Sequence, residues 1–280
     1  LDDDDATPLF IACRNGSEAI TRLLLDANAD VDALNAADGI TPLFLAANHG
    51  QADCLQLLIA AKADIEACDM DRTTPLHTAI IQGHTYCVGI LLKAKAAIEA
   101  DVIDSDDHVP TALLLAVEYG QDVCAQLIIN AKANIEARNH KGETALMLAA
   151  RTGSRYCAQV LLSAKADVRT TDNAGYTPLM IAAAQYKAMD SQVLINLKAD
   201  INARNIQGFT ALMEAATARK VECVELLLRN KADIDAKTND GLTALSCAAR
   251  IGCADCALAL IKAGANIEVK SEQGDTAVMW

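Results

Sequence analysis

Short apolar runs recur along the chain at a regular interval and are separated by polar residues and glycine. One run, Leu43-Phe44-Leu45-Ala46-Ala47, is followed by Gly50 and then by a second run, Leu57-Leu58-Ile59. A Lys-Ala-Asp-Ile segment or a close variant comes next, and an Asp-Gly or Gln-Gly turn leads into the following unit. This pattern predicts two short helices joined by a turn, and then an extended, hairpin-like loop.

A Thr-(Pro/Ala)-(Leu/Val) triplet marks the beginning of each unit. Most triplets are 33 residues apart, while the first step is 34 and the step from Thr74 to Thr111 is 37. Threonine suits a helix N-cap and proline suits the first helical position, and the glycine after the first helix suits a left-handed C-terminal residue. The triplets begin at Thr7, Thr41, Thr74, Thr111, Thr144, Thr177, Thr210, Thr243 and Thr276.

One unit carries a recognisable family motif. Its segment 74–79, Thr-Pro-Leu-His-Thr-Ala, matches the T-P-L-H-x-A signature of ankyrin repeats, and the period matches too. The chain therefore resembles the ankyrin-repeat family along its whole length. The resemblance implies an all-α solenoid of stacked helix-turn-helix units with hairpin loops. It also implies that His77 hydrogen-bonds local backbone.

The boundaries of the array follow from the repeats. We expect residues 1–280 to form a single array of eight helix pairs and a truncated ninth, which stops at Trp280. The first repeat lacks most of its leading loop. Because a repeat array needs polar capping repeats at its ends, we expect the chain to be an excerpt of a longer protein.

Composition narrows the function classes. Hydrophobic residues make up 52% of the chain but aromatic residues only 3%, which indicates many thin, similar layers rather than the core of a globular enzyme. The net charge of −13 argues against nucleic acid and permits a basic protein segment as partner. No apolar run approaches the roughly 18 residues of a membrane span. We predict a monomeric array that neither binds nucleic acid nor inserts into a membrane.

The cysteines indicate a compartment rather than a reaction. Equivalent positions on stacked helices are about 8–10 Å apart, which is too far for a disulfide, so we interpret the recurring cysteines as small buried hydrophobes. Free, buried cysteines favour a reducing, intracellular compartment, and we expect this compartment to be the cytoplasm. Cys253 and Cys256 form a C-x-x-C, which is a weak redox or zinc signal here, and we favour a structural role for it. Six of the ten cysteines lie thirteen residues after the threonine: Cys54, Cys87, Cys124, Cys157, Cys223 and Cys256.

No catalytic motif is present, and no nucleophile, base and orienting group are assembled by the repeats. We therefore predict no enzymatic activity, no cofactor and no metal. The loop 101–110 is acidic and longer than its neighbours. It could serve a basic partner or bind Ca²⁺ weakly, but a solvated insertion is favoured because long surface loops cost little.

The residue before each threonine should lie at the tip of a hairpin loop. Tyr176, Phe209 and Leu242 hold this position in three consecutive repeats, and Ile206 shares a tip with Phe209. Exposed apolar clusters and aromatic residues favour protein binding, but the same side chains could instead seal the contact between repeats, and the sequence leaves both readings open. Exposed positions of the first helices add three contact candidates, Tyr119, Arg151 and Arg250.

Two further columns depart from the family pattern. In the sixth and seventh repeats, the glycine between the two helices is replaced by Tyr186 and Arg219. Three interpretations stay open: the turn has a different conformation there, the side chain has a function, or the change is neutral. The loop after the second helix usually carries glycine in this family, but here it carries lysine. Favourable charge at a helix C-terminus explains these lysines better than a rail for an acidic partner. The lysines are Lys62, Lys95, Lys132, Lys165, Lys198 and Lys231.

These observations predict a scaffold or adaptor that binds partner proteins through a groove of hairpin tips and first helices in repeats five to eight. The alternatives are a regulatory or targeting module of a larger enzyme or channel, and a purely architectural subunit of an assembly.

Overall fold

The computed structural model describes residues 6–35, 39–99, 111–185 and 188–269, with the backbone alone at 188–190. Within these residues the secondary structure consists of sixteen helices in eight pairs. The first helices of the pairs are α1 (Pro8–Arg14), α3 (Pro42–Asn48), α5 (Pro75–Ile81), α7 (Ala112–Glu118), α9 (Ala145–Thr152), α11 (Pro178–Ala184), α13 (Ala211–Thr217) and α15 (Ala244–Ile251). The second helices are α2 (Glu18–Asp26), α4 (Ala52–Ala60), α6 (Thr85–Lys93), α8 (Asp122–Asn130), α10 (Arg155–Ser163), α12 (Ala188–Asn196), α14 (Val221–Arg229) and α16 (Ala254–Lys262).

The helices fall into two compact units, residues 1–140 and residues 141–280. The first unit contains α1 to α8 and the second contains α9 to α16. Within each unit, first helices pack on first helices and each first helix packs on the second helix of its own repeat. The all-α class is confirmed for the residues described.

A threonine is the N-cap residue of all eight first helices described, and six of these threonines form a capping hydrogen bond. At six positions the hydroxyl accepts a hydrogen bond from the backbone N–H three residues later, at 3.2–3.4 Å. Thr111 and Thr144 make no such bond. The six capping residues are Thr7, Thr41, Thr74, Thr177, Thr210 and Thr243.

His77 completes a reciprocal cap at the beginning of α5. The Thr74 hydroxyl accepts from the backbone N–H of His77, and His77 Nδ1 accepts from the backbone N–H of Thr74 at 3.4 Å. The ring is fully buried, and burial lowers the pKa of His77 to about 4. The backbone contact implied by the signature motif is therefore confirmed.

The recurring cysteines lie in the core of the second helices. All six members of the series are at most 1% exposed, and all ten cysteines are free thiols. They pack among buried leucines and isoleucines such as Leu58, Leu91 and Ile128, so each layer is closed by small and aliphatic side chains. The interpretation of this series as small buried hydrophobes is confirmed.

Left-handed residues end most helices. Six glycines after first helices have φ between +67° and +76°, as expected for a left-handed C-terminal residue. They are Gly16, Gly50, Gly83, Gly120, Gly153 and Gly252. The lysines after the second helices are also left-handed, with φ between +65° and +72°, and all six are exposed. Lysine here therefore occupies a conformation that costs an L-residue about 1 kcal/mol.

Acidic residues of the loops after the second helices offset the charge of these lysines and also accept hydrogen bonds from the backbone of the next repeat. Glu66 accepts a hydrogen bond from the backbone N–H of Ala97 at 2.8 Å, and Asp235 accepts one from the backbone N–H of Asn266 at 3.0 Å. Each bond joins consecutive loops within one unit.

No helix in the described residues is long and apolar enough to cross a membrane.

Candidate functional site

Three hairpin tips of the second unit are closed by a polar side chain four residues before the tip position. The Asp172 carboxylate accepts from the backbone N–H of Tyr176 at 2.8 Å, and Asn205 Oδ1 accepts from that of Phe209 at 2.9 Å. The Thr238 hydroxyl accepts from the backbone N–H of Leu242 at 3.1 Å. These local turns explain why Asp, Asn and Thr recur before the glycine, since their side chains replace backbone partners in a turn.

The tips are also joined to one another through main-chain atoms. The N–H of Asn173 donates to the carbonyl of Lys141 at 2.9 Å, and the N–H of Ile206 donates to the carbonyl of Ala174 at 3.0 Å. The N–H of Asn239 continues the series by donating to the carbonyl of Gln207 at 2.9 Å. From Lys141 to Asn239, the tips of the second unit therefore form a continuous, hydrogen-bonded ribbon.

Tyr176 is half-buried and its hydroxyl reaches the next repeat. It donates a hydrogen bond to the carboxylate of Glu214 on α13, and the amide of Asn205 lies against it. Burial first, and then the charge of Glu214, raise the pKa of Tyr176. Burial raises the pKa of Glu214, and the hydrogen bond from Tyr176 offsets part of that rise. The hydroxyl end of Tyr176 thus joins two repeats, while part of its ring faces solvent.

The other tip residues differ sharply in exposure. Ile206 is 68% exposed and Leu242 is only 8% exposed, while Phe209 is half-buried. Leu242 packs into the stack and offers a partner little surface, so for this residue the structure favours the sealing role. Tyr176, Ile206 and Phe209 are brought together around Asn205.

The candidate arginines Arg151 and Arg250 lie on first helices of the second unit. Arg151 on α9 is tied to the buried carboxylate of Glu143, with Nε 3.3 Å from Oε1. Arg250 on α15 is exposed. Burial raises the pKa of Cys247, and the positive charge of Arg250 offsets part of that rise. Tyr119 is 53% exposed at the end of α7, in the first unit.

Two residues of this site were missed by the sequence reasoning. Glu214 accepts from the Tyr176 hydroxyl, and Asn205 closes the tip that carries Phe209, yet neither was among the expected contact residues. A signal for Glu214 was present, because the other repeats carry uncharged residues four positions after the threonine, such as Ile181 and Cys247. A carboxylate at a repeat position that is otherwise uncharged indicates a specific side-chain contact.

A cavity of about 200 Å³ lies elsewhere in the second unit, between α9, α10 and α12. Its walls are mostly apolar and contain none of the predicted contact residues. The lining residues are Leu146, Ala150, Arg155, Ala158, Gln159, Leu162, Val193 and Leu194. No group of three or more potential metal ligands occurs in the part of the chain that the structure describes. The acidic loop 101–110 and Tyr186 lie outside that part.

Comparison with known proteins identifies the family. A family model described as ankyrin repeats in three copies matches residues 1–69, 62–139, 113–205 and 188–271. The chain therefore belongs to the ankyrin-repeat family. Ankyrin repeats are generally modules for protein–protein interaction, and their fold is typically not catalytic.

A solved structure shows the same fold. The ankyrin repeat domain of human ASB11 is similar with a TM-score of 0.70 and 25% sequence identity. The alignment covers 81% of this chain and 98% of that chain. No curated protein matches the sequence at a significant level.

Proposed function

We propose that this chain is a scaffold or adaptor that binds a partner protein through the hairpin tips and first helices of repeats five to eight. The observation that carries the proposal is Ile206, a large aliphatic side chain that is 68% exposed on a tip between two half-buried aromatic residues. Apolar side chains of this size, grouped at a surface, are typical of protein interfaces.

The tip that carries Ile206 is held rigidly. Its backbone N–H donates to Ala174, and its carbonyl accepts from the side-chain amide of Asn239 at 2.8 Å. A side chain on a fixed backbone loses less conformational entropy when it binds, so more of its contact energy remains as affinity.

The aromatic neighbours extend the apolar surface. Tyr176 and Phe209 are both half-buried, so part of each ring remains available next to Ile206. The ring of Tyr176 is held by the bond from its hydroxyl to Glu214. Rigid aromatic side chains bury a large area at small entropic cost, which is why they are common at the centre of interfaces.

Charge favours a partner segment that carries basic residues. The chain has a net charge of −13, which attracts positively charged segments over several ångströms. Arg151 and Arg250 then supply local donors for carbonyl or carboxylate groups of the partner. Arg151 is restrained by Glu143, so its guanidinium is already oriented.

The test uses one exposed residue of the surface and one exposed residue away from it. Wild-type chain, Ile206→Asp and Leu258→Asp are immobilised and exposed to the same cell lysate, and the captured proteins are quantified by mass spectrometry. Leu258 is the matched control because it is 50% exposed but lies on α16, away from the tips. Captured candidates are then purified and their dissociation constants are measured against all three proteins.

We expect at least one captured protein to bind Ile206→Asp about tenfold or more weakly than wild type, as is usual for a central interface residue. Leu258→Asp should bind it as wild type does. Equal binding to wild type and Ile206→Asp, with loss in Leu258→Asp, would place the interface on the second helices and refute the proposal.

A further inference from the structure

The cavity between α9, α10 and α12 has a buried end and a mouth at the protein surface. Leu146, Ala150 and Leu194 line it and are at most 4% exposed. Val193, which also lines it, is 42% exposed. A small molecule can therefore enter from solvent without unfolding of the repeats, and its apolar part is then removed from water.

The cavity lies where two repeats pack loosely on each other. In α4, α6 and α14, the residue fourteen positions after the threonine is Leu55, Val88 or Val224, and each is fully buried. In α10 this residue is Ala158, which lines the cavity and is only half-buried. The helix α12 also packs more closely on α14 than on α10. The cavity therefore comes from side-chain volume that is missing at Ala158.

The volume of the cavity sets the size of a ligand. It is about 200 Å³. An apolar cavity of about 150 Å³ in another protein holds benzene, so a ligand packed equally well here has about eight heavy atoms. An empty cavity lowers stability, and a molecule that fills it in the folded chain alone restores part of that loss.

The polar groups of the lining are at the mouth. Gln159 and Arg155 line the cavity, and both are exposed. A guanidinium offers only N–H donors, and an amide offers two N–H donors besides its oxygen, so both side chains can donate to an oxygen atom of a ligand. A charged group is excluded from the buried end, because apolar walls do not replace its hydration. The lining thus favours an uncharged ring with an oxygen at the end that faces the mouth.

We infer that this cavity is a binding site for small uncharged cyclic molecules of about eight heavy atoms that carry one hydroxyl or carbonyl oxygen, such as 4-methylphenol. The ring lies between Leu146, Leu194 and Ala158, and its oxygen accepts a hydrogen bond from the side-chain amide of Gln159. None of the tip residues lines the cavity, so this site and the proposed partner surface are separate.

The test titrates 4-methylphenol into the full chain, with leucine and valine methyl groups labelled with carbon-13, and follows the methyl signals by NMR. We expect the signals of Leu162, Val193 and Leu194 to shift with one dissociation constant of about 1 mM or below. Leu260 has the register of Leu194 on α16, is fully buried and does not line the cavity, so its signal should not shift.

A second measurement fills the cavity. Ala158→Leu introduces the residue that α4 carries at this register and should weaken the binding of 4-methylphenol about tenfold or more. Ala257→Leu is the matched control, because Ala257 has the same register on α16, is also half-buried and does not line the cavity. It should bind as wild type does. Circular dichroism checks folding, and Ala158→Val, with the residue of α6 and α14, is used if leucine is too large.

A third measurement tests the polar end of the site. Gln159→Leu should weaken the binding of 4-methylphenol about threefold or more, and it should leave the binding of toluene, which has no oxygen, unchanged. Gln126→Leu, at the same register on α8, should change neither dissociation constant.

Any of three results would overturn the inference. The first is that no methyl signal of the cavity shifts at about 10 mM 4-methylphenol, tenfold above the expected dissociation constant. The second is that the folded Ala158 variants bind as tightly as wild type, which would place the ligand elsewhere. The third is that Gln159→Leu binds 4-methylphenol as wild type does, so that the amide makes no contact with the oxygen.

Discussion

The hydroxyl of Tyr176 donates a hydrogen bond to the carboxylate of Glu214 and thereby joins the hairpin tip of one repeat to the first helix of the next. The carboxylate lies in a half-buried position, where burial raises the pKa of Glu214. A raised pKa means that folding favours the protonated form, so Glu214 contributes stability that is present below its ordinary pKa and is lost as the pH rises through the folded-state pKa.

The first prediction concerns this carboxylate. Glu214→Gln keeps an acceptor for the Tyr176 hydroxyl and removes the half-buried charge. We expect the free energy of unfolding to rise by about 0.5 kcal/mol at pH 7, and the gain to disappear below about pH 4.5. Urea unfolding across this pH range measures it. Glu222→Gln, at an exposed position on α14, should show no such trend, and a loss of stability in Glu214→Gln at pH 7 would contradict the assignment.

The second prediction concerns His77, whose pKa burial lowers to about 4. Folding favours the neutral ring, so stability is present above the ordinary pKa of about 6.5 and is lost as the pH falls toward 4. His77→Met introduces the residue that follows the threonine at the same distance in four other repeats. We expect the stability difference between the two proteins to shift by about 3 kcal/mol in favour of the variant from pH 7 to pH 4.

Denaturant midpoints for both proteins at each pH give this difference. The pH dependence that comes from carboxylates shared by both proteins cancels in it. A difference that does not change with pH would show that the His77 ring is accessible to protons in the folded chain.

The third prediction concerns the left-handed lysines. Lys165, after α10, has φ +69°. Lys165→Gly should stabilise the chain by about 0.5 kcal/mol, because relief of the strained backbone exceeds the entropy that glycine adds to the unfolded state. Lys165→Ala removes the same charge but keeps the strain, so it should give no gain in thermal or urea unfolding. Equal gains in both variants would instead identify charge as the cause.

The fourth prediction concerns the joint between two tips. A Cβ at Gly175, where φ is +82°, would lie 3.0 Å from the Asn205 Cα and the Ile206 N. Gly120 has φ +67° and no atom within 4 Å of such a Cβ. Gly120→Ala should therefore cost about 1 kcal/mol of unfolding free energy from backbone strain alone, and Gly175→Ala about 2 kcal/mol or more. Similar losses in the two variants would show that the tips can separate freely.

The regular parts of the fold could be predicted from the sequence because each depends on a local preference repeated many times. Threonine caps, left-handed glycines and buried cysteines each satisfy a requirement of the residue's own helix or turn. Thr111 and Thr144 are exceptions that the sequence does not reveal, since they carry the same residue in the same register but form no capping bond.

The candidate site was predictable only in part, because exposure at a tip depends on the neighbouring repeat. Leu242 and Ile206 are both aliphatic tip residues, yet one packs into the stack and the other faces solvent. The bond from Tyr176 to Glu214 and the contact of Arg219 with Gly252 both join consecutive repeats about one period apart. Contacts of this kind have no signature in the sequence of a single repeat.

The ribbon of tips is held by peptide groups, and every residue except proline supplies the N–H that such a joint needs. Substitution of the outward-facing side chain at Ile206 therefore leaves the joint to Ala174 intact. Selection can change what this surface recognises without first compensating for lost stability. Recognition and folding are thus encoded by different atoms of the same residue.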